Sequence, residues 1–393
     1  MNNRVDGILL KQGILVILIC TFCVSTVGAS IIGEKWSVVL GNASWSPRYD
    51  HTAFAFNNEL WILGGSGGND VWKSGDGLTW AKVTDRAGWL SRSGHTSVVF
   101  DNRMWVLGGG SGSGMKNDVW YSEDGSTWTQ ATGNAGWSPR SGHASVVYDG
   151  KIWVLGGGSG SDMKNDVWCS TDGNSWIQVT GNANWSSRSG HTAIVFDNKM
   201  WVLGGSSQSD AWYSTDGITW IAATENAEWT HRSGHQSVVF GGKMWILGGY
   251  IGLRSMAARQ ELASNDAWYS YDGKIWYPAT DEAEWSPRYG HQAVVFHDRM
   301  WVLGGNEPGD PESGVFDLGP GEYVYSRLPD IIDNDVWQSV SVIKSPTTAP
   351  PVVQTHITGK ITSRSSPVSV ITISLSGIVS VFLFFGYRKG RLR

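Results

Sequence analysis

Six arginines and six histidines recur along the 393-residue chain in one fixed relation. Arg48, Arg92, Arg140, Arg188, Arg232 and Arg288 each stand three residues before His51, His95, His143, His191, His235 and His291. A guanidinium is a rigid fork of donors suited to carboxylates, phosphates and sulfates. The arginines could therefore bind anions; equally, each could hold neighbouring units together. Six imidazoles could form a ring around an axis and gather copper or zinc. Such a site needs three or four ligands converging at ~2 Å, with supporting hydrogen bonds. A hydrogen-bonded histidine in every unit is the simpler reading, and no metal or cofactor is expected. Three residues before each arginine stands a tryptophan: Trp45, Trp89, Trp137, Trp185, Trp229 or Trp285. These rings could stack on sugars or pack between units. No H-E-x-x-H or nucleotide loop is present. Cys169 fills a slot held elsewhere by Tyr121, Tyr213 and Tyr269, so it reads as a strand residue and not a nucleophile.

The elements that position these residues form a repeat. Successive arginines are 44, 48, 48, 44 and 56 residues apart. One unit runs Trp137-Ser-Pro-Arg140-Ser-Gly-His143, then Ile152-Trp153-Val-Leu-Gly156-Gly157, then Asn165-Asp166-Val-Trp168 and Asp172-Gly173-Asn-Ser-Trp176. It divides into four short strands. Strand a is Ala144–Tyr148, turned at Asp149-Gly150 into strand b, 152–155, which ends at the glycine pair. Strand c is 166–170, turned at Asp172-Gly173 into strand d, which carries Trp176. Asp-Gly between apolar runs favours a tight hairpin, because a primed turn needs positive φ. The Asn-Asp pair, as at Asn117-Asp118, is expected to tie the b–c loop to strand c. A lone four-stranded sheet exposes both faces and both edges; six packed radially bury the faces.

The 24 tryptophans fill four slots in six units with none left over. Strand b has Trp61, Trp105, Trp153, Trp201, Trp245 and Trp301; strand c has Trp72, Trp120, Trp168, Trp212, Trp268 and Trp337. Strand d has Trp80, Trp128, Trp176, Trp220 and Trp276, and the loop tryptophans complete the set but for Trp36. Trp36 precedes Trp45 by nine residues, as Trp80 precedes Trp89. The last unit stops after strand c at Asn334-Asp335-Val336-Trp337-Gln338-Ser339. Residues 36–39 should therefore supply the outer strand of the sixth unit and close a ring.

The chain ends read differently. Residues 1–29 have the layout of a signal peptide, with an uncleaved signal anchor as the alternative. The body, 30–344, precedes a Pro/Ser/Thr-rich stalk, 345–367, and 20 uncharged residues, 368–387, long enough to span ~30 Å of hydrocarbon. Residues 388–393 are a basic tail, which places the C-terminus in the cytoplasm. The expected protein is single-pass in the cell membrane, with its body on the extracytoplasmic side. Residues 30–344 hold 22 Lys+Arg and 34 Asp+Glu, a net of −12, so a nucleic-acid partner is excluded as a default. One cysteine in that body leaves no internal disulfide.

With six Arg-x-Gly-His-like starts, glycine pairs and paired aromatics on the page, residues 36–339 resemble the kelch family of β-propellers. The resemblance implies an all-β fold, here six-bladed and closed by the N-terminal strand. Two features depart from the family: the loop tryptophan is extra, and Ser-x-Asp-Gly-x-x-Trp looks like the Asp-box of sialidase propellers, one residue short between Asp and Gly. Kelch ligands often bind on the face of the b–c and d–a loops, with arginines from the start of strand a. On that face the symmetry breaks. Tyr49-Asp50 and Tyr289 replace small residues, His231 precedes Arg232, and insertions fall at 250–264 and 306–333. The expected ligand patch is Arg48, Tyr49, Asp50, His231, Arg232, Arg288 and Tyr289, bordered by Trp45, Trp229 and Trp285. The expected function is a non-catalytic module for an extracellular protein or glycan, held to the membrane by the C-terminal helix. The alternative is a carbohydrate-active enzyme, sialidase-like or galactose-oxidase-like, with Asp50 and Glu307 as the nominated carboxylates.

Overall fold

The computed structural model describes residues 33–340, apart from 67, 256–259, 310–314, 318–322 and 326–329. The signal segment, stalk, membrane span and tail lie outside the described residues. Among those described, no helix is long and apolar enough to cross a membrane.

Six four-stranded antiparallel sheets form the six blades. Blade 3 shows the pattern: Ala144–Tyr148, Lys151–Ser159, Asp162–Ser170 and Ile177–Thr180. The inner strands of neighbouring blades touch one another around an axis, so strands a form the wall of a central channel. The a–b turns are primed, as the sequence requires: Asp149 and Gly150 have φ of 49° and 66°.

In blades 2 to 6 strand b is longer than expected, whereas in blade 1 it stops at Leu63, before its glycine pair. In blade 3 the glycine pair does not end strand b; it sits at a register shift between Leu155 and Gly157, after which Gly157 pairs with Lys164. Such a bulge bends the ladder without stopping it. The b–c connections of blades 2 to 6 are therefore hairpins more than loops, and that of blade 1 remains a loop. The blade 5 insertion extends this hairpin through Lys243–Ser255 and Gln260–Ser270. The blade 6 insertion carries a small hairpin of its own, Val315–Asp317 with Tyr323–Tyr325.

The c–d turn differs from a simple primed hairpin. Asp172 Oδ1 accepts from the Asn174 and Ser175 amides, and Ser170 Oγ accepts from the Gly173 amide. Trp176 donates Nε1–H to the Gly173 carbonyl and stands just before strand d. A Cβ on Gly173, at φ 70°, would collide with Trp105 of blade 2. This turn is thus the tooth that packs one blade against the preceding one.

Ring closure follows the tryptophan count. Lys35–Leu40 pairs antiparallel with Ile331–Val340, with Trp36 opposite Ser339 and Val38 opposite Trp337. Gly33 completes the mimicry. Trp36 Nε1 donates to the Gly33 carbonyl at 3.1 Å, as Trp80 does to Gly77, and Gly33 packs on Trp245 of blade 5. The Gly-x-x-Trp at 33–36, which repeats Gly77-x-x-Trp80, is the sequence signal for this closure. Lys35 and Val340 are partners, so the chain enters and leaves blade 6 at the end opposite the inserted hairpins.

Candidate functional site

The six arginines are spent inside the fold. Arg140 is fully buried and grips Asp166 with two bonds of 2.6 and 2.9 Å, while Nη1 also reaches the Gly156 carbonyl at 2.7 Å. The same fork joins Arg48 to Asp70, Arg232 to Asp266 and Arg288 to Asp335. Both partners belong to one blade, so the side chain does not bridge blades. The arginine main chain does: its carbonyl accepts from the glycine-pair amide of the preceding blade, as Gly109 N–H to Arg140 at 2.9 Å. The Asp also accepts from the strand c indole, as Trp168 Nε1 to Asp166 at 2.8 Å. The Asn before it reaches into the next blade, Asn165 Nδ2 donating to the Trp185 carbonyl at 3.1 Å, rather than tying its own loop.

Arg140→Ala would leave Asp166 buried without its counter-charge. The expected loss is ~3–5 kcal/mol, read as a lower thermal midpoint. Arg140→Lys should recover little, since an ammonium cannot form the fork. A loss under ~1 kcal/mol would mean that the pair behaves as an exposed one.

The loop tryptophans are equally enclosed. Trp45, Trp229 and Trp285 are at most 1% exposed. Each stands edge-on to a strand d tryptophan, Trp285 to Trp36 at 6.1 Å, and tilts onto the blade's own histidine, Trp285 to His291 at 5.9 Å. Six of the ten patch residues, Arg48, Arg232, Arg288, Trp45, Trp229 and Trp285, are therefore framework, a correction forced by their burial. Tyr49, Asp50, His231 and Tyr289 keep surface on the insert-bearing face.

The histidines do not converge on a metal, and no His/Cys/Asp/Glu group suited to one exists among the described residues. Each lies between its loop tryptophan and the preceding blade. The Oγ1 of Thr52, Thr96 and Thr192 lies 2.9–3.1 Å from Nε2 of His95, His143 and His235. Ala144, Gln236 and Gln292 take the threonine slot facing His191, His291 and His51, whose Nε2 atoms have no partner. Burial first, then the arginine charge, pushes His95, His143 and His191 down to about 3; His291 falls likewise. All six are neutral imidazoles at physiological pH.

At the start of strand a the main chain closes a second ring. Asp50 N–H donates to Gly290, Gly290 to Gly234, Gly234 to Gly190, Gly190 to Gly142, Gly142 to Gly94 and Gly94 to Asp50, all at 2.7–2.9 Å. All six residues have positive φ, between 51° and 63°. Five are glycine; Asp50 alone brings a side chain. A Cβ on Gly290 would stand 2.7 Å from Asp50 Oδ1, so that carboxylate leans across the ring. Burial alone pushes the Asp50 carboxyl up to about 6. Beneath the ring lies an axial cavity of about 200 Å³, walled by Thr52, Thr96, Ser97, Ser145, Gln236 and Gln292 among others.

Around this ring the two halves of the face differ. Blades 2 to 5 present Ser93, Ser141, Ser189 and Ser233, whereas blades 1 and 6 present Tyr49 and Tyr289. Tyr289 meets Tyr250 of the blade 5 hairpin edge-on at 5.8 Å and accepts from Asn306 Nδ2 at 2.6 Å. Asp333 lies 3.3 Å from Arg288, yet burial together with Asp335 and Glu307 lifts its carboxyl to about 6. The structure thus joins Tyr49, Asp50 and Tyr289 at one sector, with Tyr250, Asn306 and Asp333 added. His231 stands farther round, beside Gly252 of the blade 5 hairpin.

Residues 31–205 match the family model of the KLHDC2/KLHL20/DRC7 Kelch-repeats domain. No curated protein matches. A solved structure titled "Structure of YjhT" superposes with a TM-score of 0.58 at 16% identity, covering 69% of this chain and 94% of the other, a likeness of fold alone. Residues 31–205 are thus similar to kelch repeats, and the described residues form a six-bladed β-propeller.

Proposed function

We propose that this protein is a non-catalytic binding module that presents the insert-bearing face of its propeller to a protein or glycan outside the cytoplasmic membrane, with residues 368–387 as its anchor. One observation carries the reading: four of the six blades bring serine and glycine to the ring, and the departures, with the two insertions, gather in adjoining blades 5, 6 and 1. A rigid scaffold with variable loops on one face is the usual arrangement for recognition. Neither described chain end leaves from that face. Tyrosines with one apolar face and one hydroxyl suit either ligand class. The sialidase-like alternative needs free arginines, and Arg48, Arg232 and Arg288 are each held by a carboxylate.

The test is a glycan array and a protein-binding screen with the intact chain. Saturable binding without turnover, at least tenfold weaker in Tyr289→Ala at unchanged thermal midpoint, is the expected result. Turnover of a reporter glycoside, or binding indifferent to Tyr289, would overturn it.

A further inference from the structure

The least economical residue in the molecule is Asp50. It takes a left-handed backbone that five other blades give to glycine, and a non-glycine residue is rarely found there. Its carboxylate has no hydrogen bond or ion pair among the described residues. Even partial burial of a carboxylate without a partner works against folding. Nothing in the architecture requires it, because Gly94, Gly142, Gly190, Gly234 and Gly290 make the same main-chain ring without a side chain. A residue that breaks a local rule with no structural return is a candidate for function.

Its surroundings define what it could hold. The axial cavity is lined by the hydroxyls of Thr52, Thr96, Ser97, Ser145, Thr192 and Ser237 and by the amides of Gln236 and Gln292. The histidines there are uncharged, so Asp50 is the one formal charge among the lining residues. Ser145 Oγ is buried with no partner in the protein. About 200 Å³ is below the ~300–1,000 Å³ that accepts drug-sized molecules, so the occupant is small. A bare calcium or magnesium ion wants six or more oxygens, several of them anionic as a rule, and one carboxylate serves it poorly.

We propose that the axial cavity is a binding site for a small hydroxylated amine, of the amino-sugar class. The ammonium pairs with Asp50, and the hydroxyls bond to the threonine, serine and glutamine side chains of the inner strands. The proposal rests on the binding-module reading for its choice of face and adds a ligand chemistry to it.

The test uses the full chain and isothermal titration calorimetry with glucosamine, glucose and N-acetylglucosamine. Glucosamine should bind saturably, and the two uncharged sugars ten- to a hundredfold more weakly, the usual range for a hydrogen bond to a charged group. Asp50→Gly, which copies the other blades and so keeps the ring, should abolish the preference. Asp50→Asn should act alike. Equal binding of glucose and glucosamine, unchanged glucosamine binding in Asp50→Gly, or no binding to the folded wild-type chain would each overturn the proposal. The two readings fail separately, since Tyr289→Ala reports on the macromolecular ligand and Asp50→Gly on the amine.

Discussion

Removing residues 30–43 is expected to abolish the single cooperative unfolding transition of the propeller. The deleted segment supplies strand Lys35–Leu40, the whole outer strand of blade 6. Its loss bares the edge of Ile331–Val340 and uncovers Trp285 and Trp245, now 0% and 1% exposed. Trp36 itself is 4% exposed, and truncation of a buried tryptophan alone costs ~3–5 kcal/mol. The segment also gives Asn42 Oδ1 and the Ala43 carbonyl to Asn334 Nδ2. Against a typical total of ~5–15 kcal/mol, such a loss leaves no two-state fold. An open ring also presents a free strand edge, so aggregation should accompany the change. Thermal unfolding followed by tryptophan fluorescence checks this, and an unchanged midpoint would refute closure by residues 35–40. The milder Trp36→Ala variant should stay folded, with a midpoint lowered by those few kcal/mol.

Acid should unfold this protein well before its ion pairs titrate. Six buried histidines are held neutral, four of them near 3, against 6.5 in an open chain. A group with a lowered folded pKa favours the folded state above the unfolded value and loses that advantage as pH falls. From pH 6.5 downward, then, the unfolded chain gains protons that the fold refuses. Asp50 and Asp333 act in the opposite sense, because the fold raises them from 3.8 to about 6 and keeps their protons through that window. Six histidines less two aspartates leaves a net uptake of about four protons on unfolding near pH 5. The slope is about 5 kcal/mol per pH unit, enough to exhaust an ordinary stability within two units. Urea midpoints at pH 7, 6 and 5 should fall steeply. Equal midpoints at pH 7 and 5 would show that the histidines are not neutral in the fold. Asp70, Asp118, Asp166 and Asp266, held below the usual carboxylate range by their arginines and indoles, add their loss only below about pH 4.

How far the sequence reached is seen in the arginine clamp. The step from arginine to the glycine carbonyl is 16 residues in every blade, because strand a, its two-residue turn and strand b have constant length. The step to the aspartate is 22, 26, 26, 22, 34 and 47 residues, because the b–c hairpin varies. A variable spacing hides a pair from any reading along the chain. The arginines therefore looked free for a ligand, when each was already matched within its blade. The glycine pair misled in a related way. It resembled a strand end, but its positive φ at Gly156 and Gly157 makes a bulge that the ladder crosses.

Period, turn chemistry and the arithmetic of 24 tryptophans are local or additive properties, and they were enough to specify six blades and the strand that closes them. The same counting singled out Tyr49, Asp50 and Tyr289 as the places where the repeat lapses. What each side chain meets was decided only in three dimensions. Burial and charge depend on distance in space, and ring closure brings Asp50 beside Gly290, 240 positions along the chain. The same closure encloses the arginines and loop tryptophans and leaves one carboxylate unmatched over the axis.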